Sequence, residues 1–163
     1  MLINSQSIVV SVHRAGRSSS FARELVSRPG VQAVFLGSEK EKEALKPALQ
    51  GQTFSYLDAM GKTDLGKLLA LISQVHVLVA NDSGPMHLAG LVGVPTVAVF
   101  GSTDPDATSP LGPHRIVRKP LACSPCLKRT CANSSHPFEC LDIVEVSDVL
   151  AQIESYLPVA SAS

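Results

Sequence analysis

Tryptophan is absent from this 163-residue sequence, and aromatic residues make up only 4% of it. Any core must therefore be built from aliphatic and small side chains. Such a composition suits a parallel sheet whose strands are covered on both faces. An excess of charge is also missing, because 14 Lys and Arg residues balance 14 Asp and Glu residues. That balance argues against the basic footprint of a nucleic-acid or anionic-membrane binder, so no nucleic-acid partner is expected. No apolar run approaches the roughly 18–20 residues of a membrane-spanning helix. The opening residues, MLINSQSIVVSVHR, lack the charged start and long apolar run of a signal peptide. A cytoplasmic location is the expectation. The chain opens almost directly into a strand, which points to a removed upstream segment.

Two nucleotide signatures are missing as well. Gly61-Lys62-Thr63 resembles the end of a phosphate-binding P-loop, but Tyr56 stands where that motif needs a glycine. No GxGxxG follows a strand, which argues against a dinucleotide oxidoreductase. Asp82, Ser83 and His87 supply the residue types of a hydrolytic triad, but the G-x-S-x-G elbow is absent.

What is present is an alternation of short apolar runs and helical patterns. Strands are expected near residues 7–12, 31–36, 53–57, 75–80, 96–100 and 115–118. Helices are expected from Ser18 or Ser19 to about Ser27, over residues 39–49 with Pro47 at a fraying end, and from 61 to about 73. The helix after Gly61 carries Leu65, Leu68, Leu69 and Ile72 on one face. A short helix after Gly84 and a closing helix over 143–157 complete the set. Repeated strand–helix alternation defines an α/β fold, a doubly wound, Rossmann-like parallel sheet. At 163 residues one domain is expected, with residues 121–140 inserted before the last helix.

The chain is organised around residues 75–104, VHVLVANDSGPMHLAGLVGVPTVAVFGSTD. This stretch reads as strand, cap, helix, stop, strand. Ser83 suits the N-cap, and Pro85 fits a first-turn position whose N–H would be unpaired anyway. The N–H groups of Gly84, Met86 and His87 are then expected to be free for an anion, with Gly84 removing a side chain where a phosphate would approach. In the strand order 3-2-1-4-5-6, the turn after strand four meets the turn after strand one. That second turn carries Arg14 and Arg17. Arginines facing a helix start form a better anion signal than either feature alone.

Cys123, Cys126, Cys131 and Cys140 form a C-x2-C-x4-C-x8-C series in one loop. Structural zinc suits four thiolates with a C-x2-C half-site, although the second spacing is unusual. Packed reduced cysteines and disulfides are the other readings, and disulfides are disfavoured in a cytosolic chain.

The block Asn81-Asp82-Ser83-Gly84-Pro85-Met86-His87-Leu88-Ala89, followed by Gly93-Val94-Pro95-Thr96 and Phe100-Gly101-Ser102-Thr103-Asp104-Pro105, resembles the donor-binding half of glycosyltransferase family 9. These are the ADP-heptose–lipopolysaccharide heptosyltransferases. Gly61-Lys62-Thr63 and the cysteine loop resemble further blocks of the family. The resemblance implies the C-terminal half of a two-lobed GT-B glycosyltransferase, with the N-terminal acceptor lobe absent from this chain. It implies inverting transfer of heptose from ADP-heptose to a lipopolysaccharide core, with the catalytic base in the other lobe and no cofactor for the chemistry. Peripheral attachment to the inner membrane through that lobe would follow. Donor binding would fall to Asp82, Ser83, Gly84, Met86, His87, Lys62, Thr63, an acid after strand two (Glu39 or Glu41), and Arg14 or Arg17. A different GT-B nucleotide-sugar enzyme and a non-catalytic nucleotide-binding or interaction domain are the alternatives.

Overall fold

The computed structural model describes residues 7–11 and 15–157, together with the placement of their elements. Six strands form one parallel sheet: β1 (Ser7–Ser11), β2 (Gln32–Leu36), β3 (Tyr56–Asp58), β4 (Val77–Asn81), β5 (Thr96–Val99) and β6 (His114–Val117). Their order is β3-β2-β1-β4-β5-β6, with β1 paired to both β2 and β4. The reversal expected between strands one and four is therefore present.

Successive residues of each central strand face opposite sides of the sheet. Val77 and Val79 join Ile8, Val10, Ala33 and Phe35 in one core. Leu78 and Ala80 join Val34, Leu36, Ala98 and Phe100 in the other. Helices α1 (Ala15–Val26), α2 (Glu39–Leu49) and α7 (Val146–Ile153) cover the first face, supplying Phe21, Leu25, Leu45, Val149 and Ile153. Helices α3 (Leu65–Ile72) and α4 (Gly84–Leu91) cover the second with Ile72, Met86 and Ala89. Burial on both faces explains why the strands read as continuous apolar runs.

Several boundaries differ from expectation, each for a local reason. Helix α1 begins at Ala15, so Ser18 and Ser19 lie inside it rather than capping it. Helix α2, by contrast, has the expected bounds, with Pro47 two residues before its end. Near the end of a helix its missing N–H costs one bond only. Leu65, expected inward, is 69% exposed because it opens α3 directly after the Asp64 cap. The turn-rich stretch after β5 contains a short helix, α5 (Pro105–Thr108), capped by Asp104, whose carboxylate accepts the Asp106 N–H at 3.1 Å. The closing helix expected over 143–157 is observed as α7 followed by a 3-10 turn over Glu154–Tyr156, and an unexpected four-residue helix, α6 (Glu139–Asp142), precedes it.

Helix α4 is seated by backbone contact. A Cβ built on Gly90 would collide with the carbonyl oxygen of Leu111 and reach its nitrogen at 3.0 Å. Backbone atoms cannot rotate away as a side chain end would. Gly90→Ala is therefore expected to destabilise the fold by about 1–3 kcal/mol, the usual cost of overpacking. Urea unfolding of the two proteins measures the difference.

Candidate functional site: the carboxyl rim of the sheet

All six strands run the same way, so their exits share one rim. Neighbouring strands lie about 4.8 Å apart, which puts the exits of β2 and β4 about 10 Å from each other across β1.

At the β4 exit, Ser83 has extended backbone and occupies the N-cap of α4, as its type suggests. Its hydroxyl does not cap the helix. It donates instead to the Asn81 carbonyl at 2.9 Å. Met86 corrects the expectation of a free donor: its N–H donates to the Ser83 carbonyl at 3.1 Å, and its side chain is buried in the core. Gly84 remains open. A Cβ added there would meet nothing within 4 Å, so the fold itself gives no steric reason for glycine. His87, half exposed, places Nε2 3.8 Å from Asp82 Oδ1. The other Asp82 oxygen accepts the Thr108 hydroxyl at 3.1 Å. Thr108 was not expected in the site; it arrives on α5, the short helix that the turn-rich composition concealed.

At the β2 exit the structure separates the two candidate acids. Glu41 closes a capping box: its Oε2 accepts from the Ser38 N–H at 2.6 Å, and the Ser38 hydroxyl accepts the Glu41 N–H at 3.3 Å. Glu39 is exposed, 4.0 Å from Lys42, and lies against Gly61. Gly61 takes φ +68°, and a side chain there would collide with the Glu39 carboxylate. Its N–H donates to the Gly37 carbonyl at 2.9 Å, joining the β2 and β3 exits. Lys62 donates to the Asp58 carbonyl at 2.8 Å and to its Oδ2 at 3.0 Å. Thr63 follows on the same turn, half-buried, before the Asp64 cap. Arg14 lies outside the described residues, as does the side chain of Arg17. The backbone of Arg17 belongs to the first turn of α1 rather than to a preceding turn.

The β4 and β5 exits enclose a cleft of about 390 Å³, lined by Asn81, Asp82, Val99, Gly101, Ser102, Thr103, Phe138 and Leu141. The last two come from the cysteine-bearing region, which sequence reasoning had kept apart from the site. That region is tied to the β5 exit: the Ser124 hydroxyl donates to the Gly101 carbonyl at 2.5 Å, and the Leu127 N–H donates to the Ser102 carbonyl at 2.7 Å. All four cysteines are free thiols, which removes the disulfide reading. They line one small cavity of about 100 Å³ together with Ser102 and Phe138. Among the described residues, no group of three or more His, Cys, Asp or Glu side chains is arranged to hold a metal ion. Burial, with the three other cysteines nearby, pushes the Cys140 thiol above its ordinary value.

The strand order reverses beside the open start of α4, which makes the chain a doubly wound α/β domain. The model of glycosyltransferase family 9 (heptosyltransferase) matches residues 22–136, and the chain belongs to that family. The lipooligosaccharide heptosyltransferase 2 of Campylobacter jejuni is 33% identical over 111 residues, covering 67% of this chain and 34% of that protein. The family 9 glycosyl transferase of Veillonella parvula superposes with a TM-score of 0.76 at 22% identity, covering 96% of this chain and 47% of that one. The ADP-heptose lps heptosyltransferase II of Escherichia coli gives a TM-score of 0.75 at 24% identity, covering 93% of this chain and 46% of that one. The chain thus spans about a third of the curated relative and about half of the two solved structures.

Asp58 gives the rim a measurable electrostatic test. Burial alone would raise its pKa, but hydrogen bonds from Lys42, Lys62 and the Met60 N–H outweigh that and hold it below the ordinary value. A depressed folded pKa means the stabilisation is complete above the unfolded value of 3.8 and is lost as pH falls through the lower folded value. Asp58→Asn is expected to cost about 1 kcal/mol at neutral pH. Thermal melts of the two proteins should converge once the pH falls below the ordinary carboxylate range. A gap that persists in strong acid would show that packing, not charge, is responsible.

Proposed function

We propose that this chain is the donor-binding half of an inverting heptosyltransferase that takes ADP-heptose and acts on a lipopolysaccharide core acceptor. The observation that carries the reading is Gly84: it stands at a helix start, open to the rim, where the protein itself does not need the space. A diphosphate does need it, because phosphate oxygens must approach the backbone N–H groups closely. Family membership and the sheet reversal support the same assignment.

The residues divide the work as follows. The Gly84 N–H and the α4 dipole hold the diphosphate and stabilise the negative charge that grows on it as the sugar departs. His87 adds positive charge when protonated. Asp82, occupied by Thr108 on one side and facing His87 on the other, orients that imidazole rather than touching phosphate. Glu39 is the better ribose ligand of the two acids, because Glu41 is committed to its cap. Lys62 and Thr63 border the nucleoside side. Arg14 and Arg17 remain candidates for the diphosphate on the strength of the sequence. The proton leaving the acceptor hydroxyl goes to a base that this half does not supply. A cytoplasmic setting at the inner membrane accords with this reading, and no helix among the described residues is long and apolar enough to cross a membrane.

The test is binding of ADP to the full chain by calorimetry. Gly84→Ala should leave the melting temperature unchanged within error and weaken ADP binding about tenfold, since the added Cβ meets nothing in the protein within 4 Å. Unaltered ADP affinity in that variant would reject the helix start as the phosphate site. If the wild-type chain binds neither ADP, UDP nor GDP, the interaction-domain reading replaces this one.

Structural zinc at Cys123, Cys126, Cys131 and Cys140 is proposed on donor chemistry, because four thiols share one small cavity. The chemistry of transfer needs no metal from this group. Elemental analysis of protein purified without chelator should find about one zinc per chain, the stoichiometry of a tetrathiolate site. Metal-free protein with four titratable thiols would leave packed cysteines as the answer.

A further inference from the structure

Phe138 has a conformation and a position that the assignments above do not explain. It is a bulky residue with φ 64°, in the left-handed region that such side chains avoid. Its ring belongs to one of only five phenylalanines, and the residue is 44% exposed. Strain of this kind persists only where the surroundings enforce it. Here they do. The Phe138 N–H donates to Cys131 Sγ at 3.3 Å, and its carbonyl accepts the N–H groups of Leu141 at 2.8 Å and Asp142 at 3.2 Å. Phe138 thereby stands between two cavities, the one lined by the cysteines and the cleft beside Asp82.

That cleft has two characters. Asn81, Asp82, Ser102 and Thr103 give it polar groups, while Val99, Phe138 and Leu141 give it an apolar surface. A sugar ring has the same division: hydroxyls around its edge and C–H bonds on its faces. Position points the same way. A nucleotide sugar is linear, nucleoside then diphosphate then sugar. With the ribose at the β2 exit and the diphosphate at the β4 exit, a donor that runs on along the rim brings its sugar to the β5 exit, where this cleft lies.

We propose that Phe138 is a specificity-determining residue, the apolar wall against which the donor's sugar ring rests. The proposal rests on the ADP-heptose reading given above and adds to it the residue that distinguishes a sugar-bearing donor from the bare nucleotide. No bond is made or broken by Phe138; it contributes contact area that only the sugar can cover.

Calorimetry of the full chain with ADP and with ADP-heptose separates the possibilities. In wild-type protein ADP-heptose should bind more tightly than ADP. Phe138→Ala should leave ADP affinity within about twofold and reduce ADP-heptose affinity about tenfold, and Phe138→Tyr, which keeps the ring, should restore most of the difference. An equal loss for both ligands, or no loss for either, overturns the assignment while leaving the diphosphate site in place. Absence of ADP binding by wild-type protein overturns the functional reading and this assignment together. Melting temperatures of both variants are expected to match that of the wild-type protein, and recovery by Phe138→Tyr separates contact with the ring from loss of the loop.

Discussion

The pairing of β1 with β4 is the constraint on which the rest depends. Ile8, Val9 and Val10 lie opposite Val77, Leu78 and Val79 in parallel register. Crossovers in parallel sheets keep one hand, so a chain that steps from β1 to β2 and β3, and then returns to add β4 beside β1, must send its helices to opposite faces. Helices α1 and α2 cover one face and α3 and α4 the other. Where the two sets part, no crossover helix spans the rim. The crevice is thus a consequence of strand order, and the start of α4 opens into it.

The rim then divides by chemistry. On the β2–β3 side the surface is charged, with Lys42 and Lys62 gathered on Asp58 and Glu39 set against Gly61. On the β4–β5 side it is mixed, polar along the Asn81–Asp82 turn and apolar along the loop that carries Phe138. Between the two sits a helix start with an open glycine. The three zones follow one another in the order of a nucleotide, its phosphates and a further group, and their spacing is set by the interstrand distance rather than by any loop. A site built in this way inherits the rigidity of the sheet.

The architecture was legible because burial on both strand faces leaves uninterrupted apolar runs, and because Gly-Pro punctuation marks the helix ends. The β4–α4 unit was read from such signals, while the strand order was taken as the one common to doubly wound sheets. What escaped were features that depend on distant partners. Thr108 reaches Asp82 across 26 positions, from a helix of four residues too short to show a period. Met86 looked like a donor by position, yet the bond from its N–H to the Ser83 carbonyl is made within the first turn itself. Glu39 and Glu41 could not be told apart by spacing, because a capping box satisfies the same sequence pattern as a ribose ligand. Phe138 sat in a loop with no periodicity, and its placement follows from hydrogen bonds to the Cys131 sulfur and to the Leu141 and Asp142 N–H groups.

The cysteine loop is the instructive case, since its residue types advertised one property and its placement supplies another. Four thiols in a short stretch draw attention to metal. Yet the loop is already fastened without one, through Ser124 to Gly101 and Leu127 to Ser102. Gly101 makes that approach possible, because a Cβ there would meet Leu141 at 2.7 Å and Cys140 Sγ at 3.0 Å. Burial and the neighbouring cysteines favour the protonated thiol of Cys140, so that sulfur packs against Gly101 rather than standing ready as a nucleophile.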